Sequence, residues 1–461
     1  MSKDKIIIVG AGMAGCFMAL NLAKRGYEVE IYEYRPDVRK EPYDSGRSFN
    51  LTLYYRGILA MQKAGIWDEV KKIAVIAEGN AAHYSDTKIV YDPFDGQADE
   101  ILFTVHRNVF NGTLLDIAEK TPGIKVFFNT RCVGINKEKK TATFQKVGEK
   151  NTFETQADVI IGADGINSIV RAVILSASEE SLDSSPDKQV QDDKQTEDWG
   201  YKEVHVSSSL SEKMNLRPNA THTWPRPGSL LIAFPNPDKS FTLMFNLPLI
   251  GKNSFETLIS EKAIKNYITN HFPDLTLLLP EIIQSFLHKP TGIFTTLKTE
   301  PWYYKDFMVL IGDSAHAVIP FYGQGVCAAF EDCLKLSELI DQDKGDWKKT
   351  FPLYQQSRKK NTDILAQLSK DNFIELRDKS RSMFYIFKDK SDTLLHRLFP
   401  RLWLPPLYVL IAHGTLEYQE ALKIHARQQK LARRVGLDGA LYLMASPWMI
   451  AQALGKLKVQ N

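Results

Sequence analysis

The sequence predicts a mixed α/β protein with a Rossmann-type domain, a second domain built on an antiparallel sheet, and a helical C-terminal region. A glycine-rich turn joins an apolar strand to a helix near the start of the chain, as in Rossmann-type units. Residues 200–300 alternate apolar and polar side chains, which favours antiparallel strands. Residues 402–461 are apolar-rich with helical patterning. A chain of 461 residues, 44% of them hydrophobic, is long enough for two or three domains.

The first predicted unit is a strand, a helix and a strand. The β-branched run of residues 6–9 predicts a buried parallel strand, residues 16–23 predict a helix that ends at Gly26, and residues 29–33 predict the next strand. This order is one βαβ unit.

Gly10, Gly12 and Gly15, with Ala14 in the same turn, give this unit the pattern of a dinucleotide site. The first glycine permits a tight turn, the second lets the backbone approach a pyrophosphate, and the third lets the helix pack closely on the strand. The helix N-terminus adds partial positive charge. Glu33 ends the second strand, where a carboxylate accepts both ribose hydroxyls and disfavours a 2′-phosphate. The resident dinucleotide is therefore predicted to be FAD or NAD rather than NADP.

The remaining elements follow from apolar runs and their periodicity. We predict a helix over 56–73, strands over 125–128, 141–144 and 158–162, a buried strand over 308–313, and helices over 327–341 and 346–377.

Residues 177–199 differ in character, being rich in Ser, Asp, Gln and Lys with almost no apolar side chains. Such a composition buries too little surface to order itself. We expect a flexible, solvated insert there rather than a binding element.

The predicted domains are therefore discontinuous in sequence. Residues 1–75, 106–176 and 301–377 form the dinucleotide domain with a long helix, residues 76–105 and 200–300 form the substrate domain, residues 177–199 are the insert, and residues 378–461 form the C-terminal helical region.

Composition argues against several classes of function. The 58 basic and 55 acidic residues leave a net charge of +3, without the basic stripe typical of nucleic-acid binding. Four scattered cysteines without a CxxC pair argue against a disulfide scaffold or a zinc site, and favour a reducing compartment. No run reaches about 20 uninterrupted apolar residues, the length of a membrane-spanning helix. We expect a cytoplasmic protein, either soluble or attached peripherally to a membrane.

Two later strands also end in glycine turns. One carries Gly162-Ala163-Asp164-Gly165 and the other Gly312-Asp313. Together with the N-terminal glycines, and in this order, they resemble the single-component FAD-dependent aromatic hydroxylases, which have the fold of para-hydroxybenzoate hydroxylase.

A closer resemblance is to the kynurenine 3-monooxygenase family, although bacterial hydroxylases of tryptophan-derived pigments share part of the pattern. It covers at least residues 5–377 and, more weakly, Tyr408 to Ala421. The segments that carry it are Gly46-Arg47-Ser48-Phe49-Asn50-Leu51, Val105-His106-Arg107, Gly200-Tyr201-Lys202-Glu203, His222-Thr223-Trp224-Pro225 and the run from Gly312 to Gly325.

The resemblance implies that FAD is the cofactor and suggests which residues hold it. It places Glu33 on the adenosine ribose, with Arg35 beside it. Arg107 would lie near the linking phosphates or the ribityl chain, and Asp313 on the ribityl chain. Asp164 belongs to the middle motif and is expected at the same site.

The loop Gly323-Gln324-Gly325, preceded by Pro320, is implied to be the catalytic face against the isoalloxazine ring. Its backbone N–H groups lie at a helix N-terminus, where donors stabilise negative charge on a reduced flavin. We expect His316, at the start of a helix beside the ribityl chain, to be structural rather than a general base.

The implied reaction is hydroxylation of a small aromatic substrate by O₂ and NAD(P)H through a flavin C4a-hydroperoxide. The protein contributes orientation and a dry pocket. A second strand–GxGxxG–helix pattern is not found, so NADPH or NADH is expected to dock transiently as co-substrate.

The sequence departs from the family at the substrate end. Kynurenine hydroxylases normally hold the amino-acid carboxylate with an arginine and a tyrosine, and by spacing these positions are Asn80 and Phe94 here. An amide offers only neutral hydrogen bonds, roughly half as strong as charge-assisted ones, and phenylalanine has no hydroxyl. Both changes favour a substrate without that carboxylate, or one held in another way.

Four other residues are expected at the substrate. Phe321 lies in the late motif, Asn246 stands where an aromatic residue is expected over the ring, and Asn372 and Tyr408 match family positions. Tyr54 is a further departure, since it takes the place of a Ser or Ala.

Three alternatives remain open from the sequence. The protein could act on a non-kynurenine aromatic, catalyse a flavin-dependent oxidation or dehydrogenation, or serve as a flavin-bound scaffold.

The C-terminal region has two apolar stretches, Leu402 to His413 and Val435 to Leu454, with a basic run between them. Such a combination is typical of interfacial helices. The favoured interpretation is that these helices cap the substrate domain, with peripheral membrane attachment as the alternative.

Overall fold

The structure, a computed structural model, describes residues 4–41, 49–84, 88–94, 102–182, 190–226, 228–376, 403–434 and a few positions between 392 and 400. Gly46–Ser48 of the first family segment, Leu402 and the stretch Val435–Leu454 lie outside the described residues. In the part described, none of the helices combines the length and apolarity that crossing a bilayer requires.

Nineteen strands are present in the described residues. They are β1 (Lys5–Val9), β2 (Glu28–Tyr32), β3 (Asn50–Leu53), β4 (Val75–Ala77), β5 (Gly79–His83), β6 (Ile89–Pro93), β7 (Leu102–His106), β8 (Ile124–Phe127), β9 (Thr130–Asn136), β10 (Thr141–Lys146), β11 (Thr152–Gln156), β12 (Val159–Gly162), β13 (Gln191–Val206), β14 (Thr221–Arg226), β15 (Ser229–Pro235), β16 (Phe241–Pro248), β17 (Gly292–Glu300), β18 (Tyr303–Tyr304) and β19 (Met308–Leu310).

Thirteen α-helices are present in the same residues. They are α1 (Met13–Ala23), α2 (Tyr55–Lys63), α3 (Trp67–Lys71), α4 (Arg107–Lys120), α5 (Ile169–Leu182), α6 (Ser208–Lys213), α7 (Glu261–His271), α8 (Leu279–His288), α9 (Asp313–His316), α10 (Gly325–Gln342), α11 (Trp347–Ile374), α12 (Leu407–Ala412) and α13 (Tyr418–Arg434).

A six-stranded sheet in the order β18-β19-β12-β1-β2-β8 forms the centre of the first core. Its strands are parallel except for the edge strand β18. Ile6, Ile7 and Ile8 are fully buried because helices or a second sheet cover both faces. Phe17 of α1 stacks on Phe330 of α10, with ring centroids 4.1 Å apart. This sheet confirms the predicted Rossmann-type unit.

A seven-stranded sheet in the order β17-β13-β16-β15-β14-β5-β6 forms the second core. Alternate residues of β16 point to opposite faces. Leu243 and Phe245 pack in the cluster with α7 and α8, whereas Met244 packs on the other face with Phe321 and Phe373. The pairs β13–β16, β16–β15 and β15–β14 are antiparallel, as expected.

The expectation of a flexible insert over 177–199 is wrong where the residues are described. Residues 177–182 continue α5, and Gln191 begins the sixteen-residue strand β13. Gln191 to Thr196 pair with β17, from Glu300 to Thr295. The polar composition is compatible with a strand because the partner strand, far away in the chain, supplies the backbone hydrogen bonds.

The predicted helix over 56–73 is two helices, α2 and α3. Gly65 lies between them with φ of +68°, a left-handed conformation that an α-helix cannot contain. The other predicted helices and strands are present with small shifts of their ends.

The described C-terminal helices pack on the rest of the molecule. Tyr418 and Ala421 of α13 and Ile411 of α12 are buried with Leu365 of α11. Arg56 joins them to α2: its guanidinium bonds to Glu331 and to the carbonyls of Ile411 and Leu416. Between residues 407 and 434 the helices therefore pack on α2, α10 and α11.

Candidate active site

A long groove of about 690 Å³ runs from the first glycine turn to the start of α10. It brings together most of the residues predicted to hold a dinucleotide. The lining includes Gly10, Gly12, Ala14, Glu33, Arg35, Arg107, Asp164, Asp313 and Gly325.

The three glycines of the first turn have different surroundings. Gly10 has φ of +105°, and a Cβ there would lie 2.4 Å from the carbonyl oxygen of Ala163. A Cβ at Gly15 would lie 2.0 Å from the carbonyl oxygen of Gly10, so Gly15 serves helix packing and does not line the groove. A Cβ at Gly12 would meet nothing within 4 Å. The space beside Gly12 is therefore open, as the expected close approach of a pyrophosphate requires.

Glu33 closes one end of the groove with a buried carboxylate. It accepts hydrogen bonds from the backbone N–H of Ala11 at 2.9 Å and from Nε of Arg35 at 2.8 Å. Only 4% of Glu33 is exposed. Arg35 therefore orients the carboxylate at the position where the resemblance places the adenosine ribose.

Arg107 and Asp313 face the same groove from α4 and α9. Burial raises the pKa of Asp313, and the charges of Arg107 and His316 act in the opposite direction. Arg107 brings a positive charge to the groove, which suits a diphosphate, and Asp313 brings a carboxylate, which can accept hydrogen bonds from polyol hydroxyls.

Asp164 lines the groove, but its carboxylate is engaged within its own loop. It accepts from Ser168 Oγ at 2.5 Å and from the backbone N–H of Ile169 at 2.7 Å, at the start of α5. Burial raises its pKa, and these donors counteract part of that effect. We therefore assign it to shaping the turn rather than to direct contact through its carboxylate.

The loop before α10 presents backbone donors. Gly323 has φ of +66°, and a Cβ there would lie 2.3 Å from Thr52 Oγ1, so its place is in the turn rather than in the groove lining. Pro320 begins the short helical turn that leads into it. Gln324 is 1% exposed and accepts a 3.4 Å hydrogen bond from the Tyr418 hydroxyl, so its side chain faces the protein interior. Since the side chain of Gln324, the residue before α10, makes no capping hydrogen bond, the N–H groups of the first turn of α10 are suited to a ligand at Gly325.

His316 lies in a buried ion-paired network. Its Nε2 is 2.5 Å from Asp332 Oδ2, and Asp332 Oδ1 accepts from Nε of Arg358 at 2.8 Å. All three side chains are at least nine-tenths buried. This arrangement ties α9 to α10 and α11, which supports a structural role for His316.

Aromatic rings pack together around Phe321, where we expected the substrate. Phe321 stacks on Phe373 at 4.5 Å and meets Phe294 edge-on at 5.0 Å. Asn372 donates a 2.7 Å hydrogen bond to the Phe321 carbonyl, so it positions this cluster of rings. Asn246 is fully buried and on the same sheet face as Met244; its Nδ2 donates to the Leu230 carbonyl, and its Oδ1 has no hydrogen-bond partner in the described structure.

Asn80 uses its amide within the sheet. Nδ2 donates to Thr223 Oγ1 at 3.1 Å, and Oδ1 accepts from Thr221 Oγ1 at 3.1 Å. Phe94 instead packs in an apolar cluster with Tyr54. Tyr408 reaches the same cluster, because its hydroxyl lies 2.7 Å from that of Tyr54.

Several residues that line the groove were not predicted as site residues, and Arg131 and Asn167 are two polar examples. Arg131 comes from β9 and Asn167 from the turn after β12, so the fold brings them to the groove from separate elements.

Comparison with known proteins identifies the class of protein to which this groove belongs. The FAD binding domain family matches residues 3–191. A solved tetrameric form of 2-methyl-3-hydroxypyridine-5-carboxylic acid oxygenase is similar in fold, with a TM-score of 0.66 and 19% identity over 82% of this chain and 94% of that one. A variant of Klebsiella pneumoniae HpxO complexed with FAD has a TM-score of 0.66 and 16% identity over 88% of this chain and 100% of that one. Fold and site define an FAD-dependent aromatic monooxygenase.

Full-length relatives make the assignment narrower. The kynurenine 3-monooxygenase of Legionella pneumophila (strain Corby) is 36% identical over 93% of each chain. That of Salinispora arenicola is 35% identical over 94% of this chain and 93% of the relative, and that of Dictyostelium discoideum is 32% identical over 92% of each. The chain belongs to the kynurenine 3-monooxygenase family. These relatives do not favour the oxidase, dehydrogenase or scaffold alternatives.

Proposed function

We propose that the protein hydroxylates the ring of kynurenine or of a closely related 2-aminophenyl ketone. One oxygen atom of O₂ enters the ring, the other leaves as water, and NAD(P)H supplies two electrons. The observation that carries the proposal is the cluster of aromatic rings formed by Phe321, Phe373 and Phe294, together with Asn246 Oδ1, which has no hydrogen-bond partner in the described structure. A flat aromatic amine would pack on these rings and donate to that oxygen.

The groove fits FAD. Open space at Gly12, the carboxylate of Glu33, the cation of Arg107 and the carboxylate of Asp313 match pyrophosphate, ribose, phosphate and ribityl in turn. When bound, FAD supplies electron transfer and oxygen activation.

The protein's own residues would orient the substrate and exclude water. The first-turn N–H groups of α10 would stabilise negative charge at the end of the groove near Gly325. The aromatic cluster would exclude water from a substrate packed on it, which strengthens each hydrogen bond there.

The test is mass spectrometry of products from a panel of aromatic amines and phenols, with NADH or NADPH consumption recorded with and without each one. Substrate-stimulated consumption with a hydroxylated product supports the proposal. Peroxide as the sole product from every candidate would contradict it.

A second candidate is the same hydroxylation on a ring without an amino-acid carboxylate. Asn80 and Phe94 favour it, since neither supplies a charge or a hydroxyl at the expected clamp. Replacing Asn80 with Arg and Phe94 with Tyr together should then improve turnover of L-kynurenine.

For location, we propose that the C-terminal helices cap the substrate side and that the protein works in the cytoplasm. The buried contacts of α12 and α13 support capping. Full-length protein in a salt-washed membrane pellet, with a form lacking residues 436–461 remaining in the supernatant, would instead favour peripheral attachment.

A further inference from the structure

The short helix α9, which carries Asp313 at the cofactor groove, is held at both ends by one carboxylate oxygen of α10. Oδ2 of Asp332 accepts a 3.1 Å hydrogen bond from the backbone N–H of Gly312, the residue before α9. The same oxygen lies 2.5 Å from Nε2 of His316, the last residue of α9. A single side chain of another helix therefore fixes the place of α9.

The backbone at Gly312 leaves little room for a different arrangement. Gly312 has φ of +58° and ψ of −140°, a conformation that favours glycine. A Cβ there would lie 3.2 Å from the Cβ atoms of Ala14 and Ala329, two residues that line the groove. The hydrogen bond to Asp332 thus orients the peptide at the point where the chain enters the groove wall, one residue before Asp313.

Asp332 is itself firmly held. It is fully buried, and Oδ1 accepts from Nε of Arg358 at 2.8 Å. Burial acts to raise the pKa of Asp332, but the charges of His316 and Arg358 outweigh that effect and hold the pKa below its usual value, so the side chain is ionised at neutral pH. An ionised carboxylate accepts stronger hydrogen bonds than a neutral group does. Asp332 is therefore a rigid, strong acceptor for both ends of α9.

The charge of Asp332 acts on Asp313 in the opposite direction to its hydrogen bonds. Burial is the main cause of the raised pKa of Asp313, and the negative charge of Asp332 adds a smaller part. Removing that charge would by itself favour the ionised form of Asp313, which is the better acceptor. A loss of FAD affinity on removing the charge would therefore report a displaced Asp313 rather than a change in its ionisation.

We propose that Asp332 is a positioning residue for the cofactor: it fixes α9 so that the carboxylate of Asp313 faces the groove at the place of the ribityl chain. Asp332 itself is not among the residues that line the groove. The inference rests on the proposed placement of Asp313, which Asp313→Ala tests by itself.

The test is a double-mutant cycle on the dissociation constant of FAD, measured by fluorescence titration of folded apoprotein. Asp332→Asn should raise this constant about tenfold, as expected for a weakened hydrogen bond to a charged group. In protein that already carries Asp313→Ala, the same change should raise it by less than about twofold, because residues that act through one another are not additive. A merely structural role would give the same factor in both backgrounds.

Glu331→Gln is the matched control, since it makes the same change from acid to amide at the preceding residue of α10. In the described structure the ion pairs of Glu331 are with Arg56 at 3.0 Å and Arg358 at 3.1 Å, and not with α9. Glu331→Gln should lower the unfolding temperature and leave the dissociation constant of FAD unchanged.

His316→Phe is a second variant, which keeps the test open if Asp332→Asn yields little folded protein. It keeps a ring beside Trp302 and removes the bond between Asp332 and the end of α9. It should raise the dissociation constant of FAD several-fold, again only where Asp313 is present.

The outcomes separate the two ideas. If Asp313→Ala leaves FAD affinity unchanged, the placement of Asp313 fails and the role of Asp332 fails with it. If Asp313→Ala weakens FAD binding but Asp332→Asn and His316→Phe change the dissociation constant equally with and without it, the role of Asp332 is overturned while the placement of Asp313 stands. The same holds if Glu331→Gln weakens FAD binding as much as Asp332→Asn does.

Discussion

Gly12→Val should remove FAD binding without disturbing the fold. A Cβ at Gly12 would meet no protein atom within 4 Å, so the valine side chain extends into the groove rather than into a neighbour. The pyrophosphate would have to retreat from the backbone N–H groups of the turn. Gly12 is therefore a position where cofactor binding and folding can be separated.

The size of the effect follows from the lost hydrogen bonds. Each bond from a backbone N–H to a charged oxygen contributes about 1.5–3 kcal/mol, so losing two costs about 3–6 kcal/mol. At about 1.4 kcal/mol per factor of ten, the dissociation constant for FAD should rise roughly 10²- to 10⁴-fold.

Two measurements test this prediction. The apoprotein is titrated with FAD while flavin fluorescence reports binding, and thermal unfolding of the same apoprotein reports the stability of the fold. Gly15→Val is the contrasting variant, because its Cβ would lie 2.0 Å from the Gly10 carbonyl oxygen and should lower the unfolding temperature. Purified Gly12→Val with full flavin absorbance would refute the placement of the pyrophosphate.

Asp313→Ala should weaken FAD binding by about 1.5–3 kcal/mol, with a smaller effect on substrate affinity. Unchanged FAD affinity in a titration would contradict the placement of Asp313 on the ribityl chain. Asp332→Asn should cost about 3 kcal/mol in urea unfolding, because the buried Arg358 loses one of its two anionic partners and keeps only Glu331. Burial lowers the pKa of His83 and of His222 to about 4, so the unfolded chain binds more protons between about pH 6.5 and 4. As the pH falls across that window, stability should fall by about 3 kcal/mol per histidine. For His222→Phe, the free energy of urea unfolding should depend less on pH across this window. An unaltered pH dependence would contradict the assignment of His83 and His222 as neutral in the folded protein. Deleting residues 436–461 should leave FAD bound, because every flavin motif lies before residue 333; loss of flavin absorbance in the folded truncated protein would argue otherwise.

The sequence by itself was enough to predict the cofactor-binding domain and the protein family. Gly10, Gly12 and Glu33 could be recognised because a tight turn, a close backbone approach and a carboxylate at a strand end are local requirements. The fold class followed for the same reason, since strand and helix periods are properties of short segments. The substitutions at Asn80 and Phe94 were also visible, although their surroundings were not.

Only the tertiary structure decided which groups meet. Tyr54 and Tyr408 are 354 positions apart, and their hydroxyl pair depends on how α12 packs against the start of α2. The polar residues 191–196 became a strand because β17 lies alongside them. Asn80 bonds to two threonines because β5 pairs with β14. Such contacts join segments that are remote in sequence, so no local pattern carries a signal for them; the packed core alone brings them together.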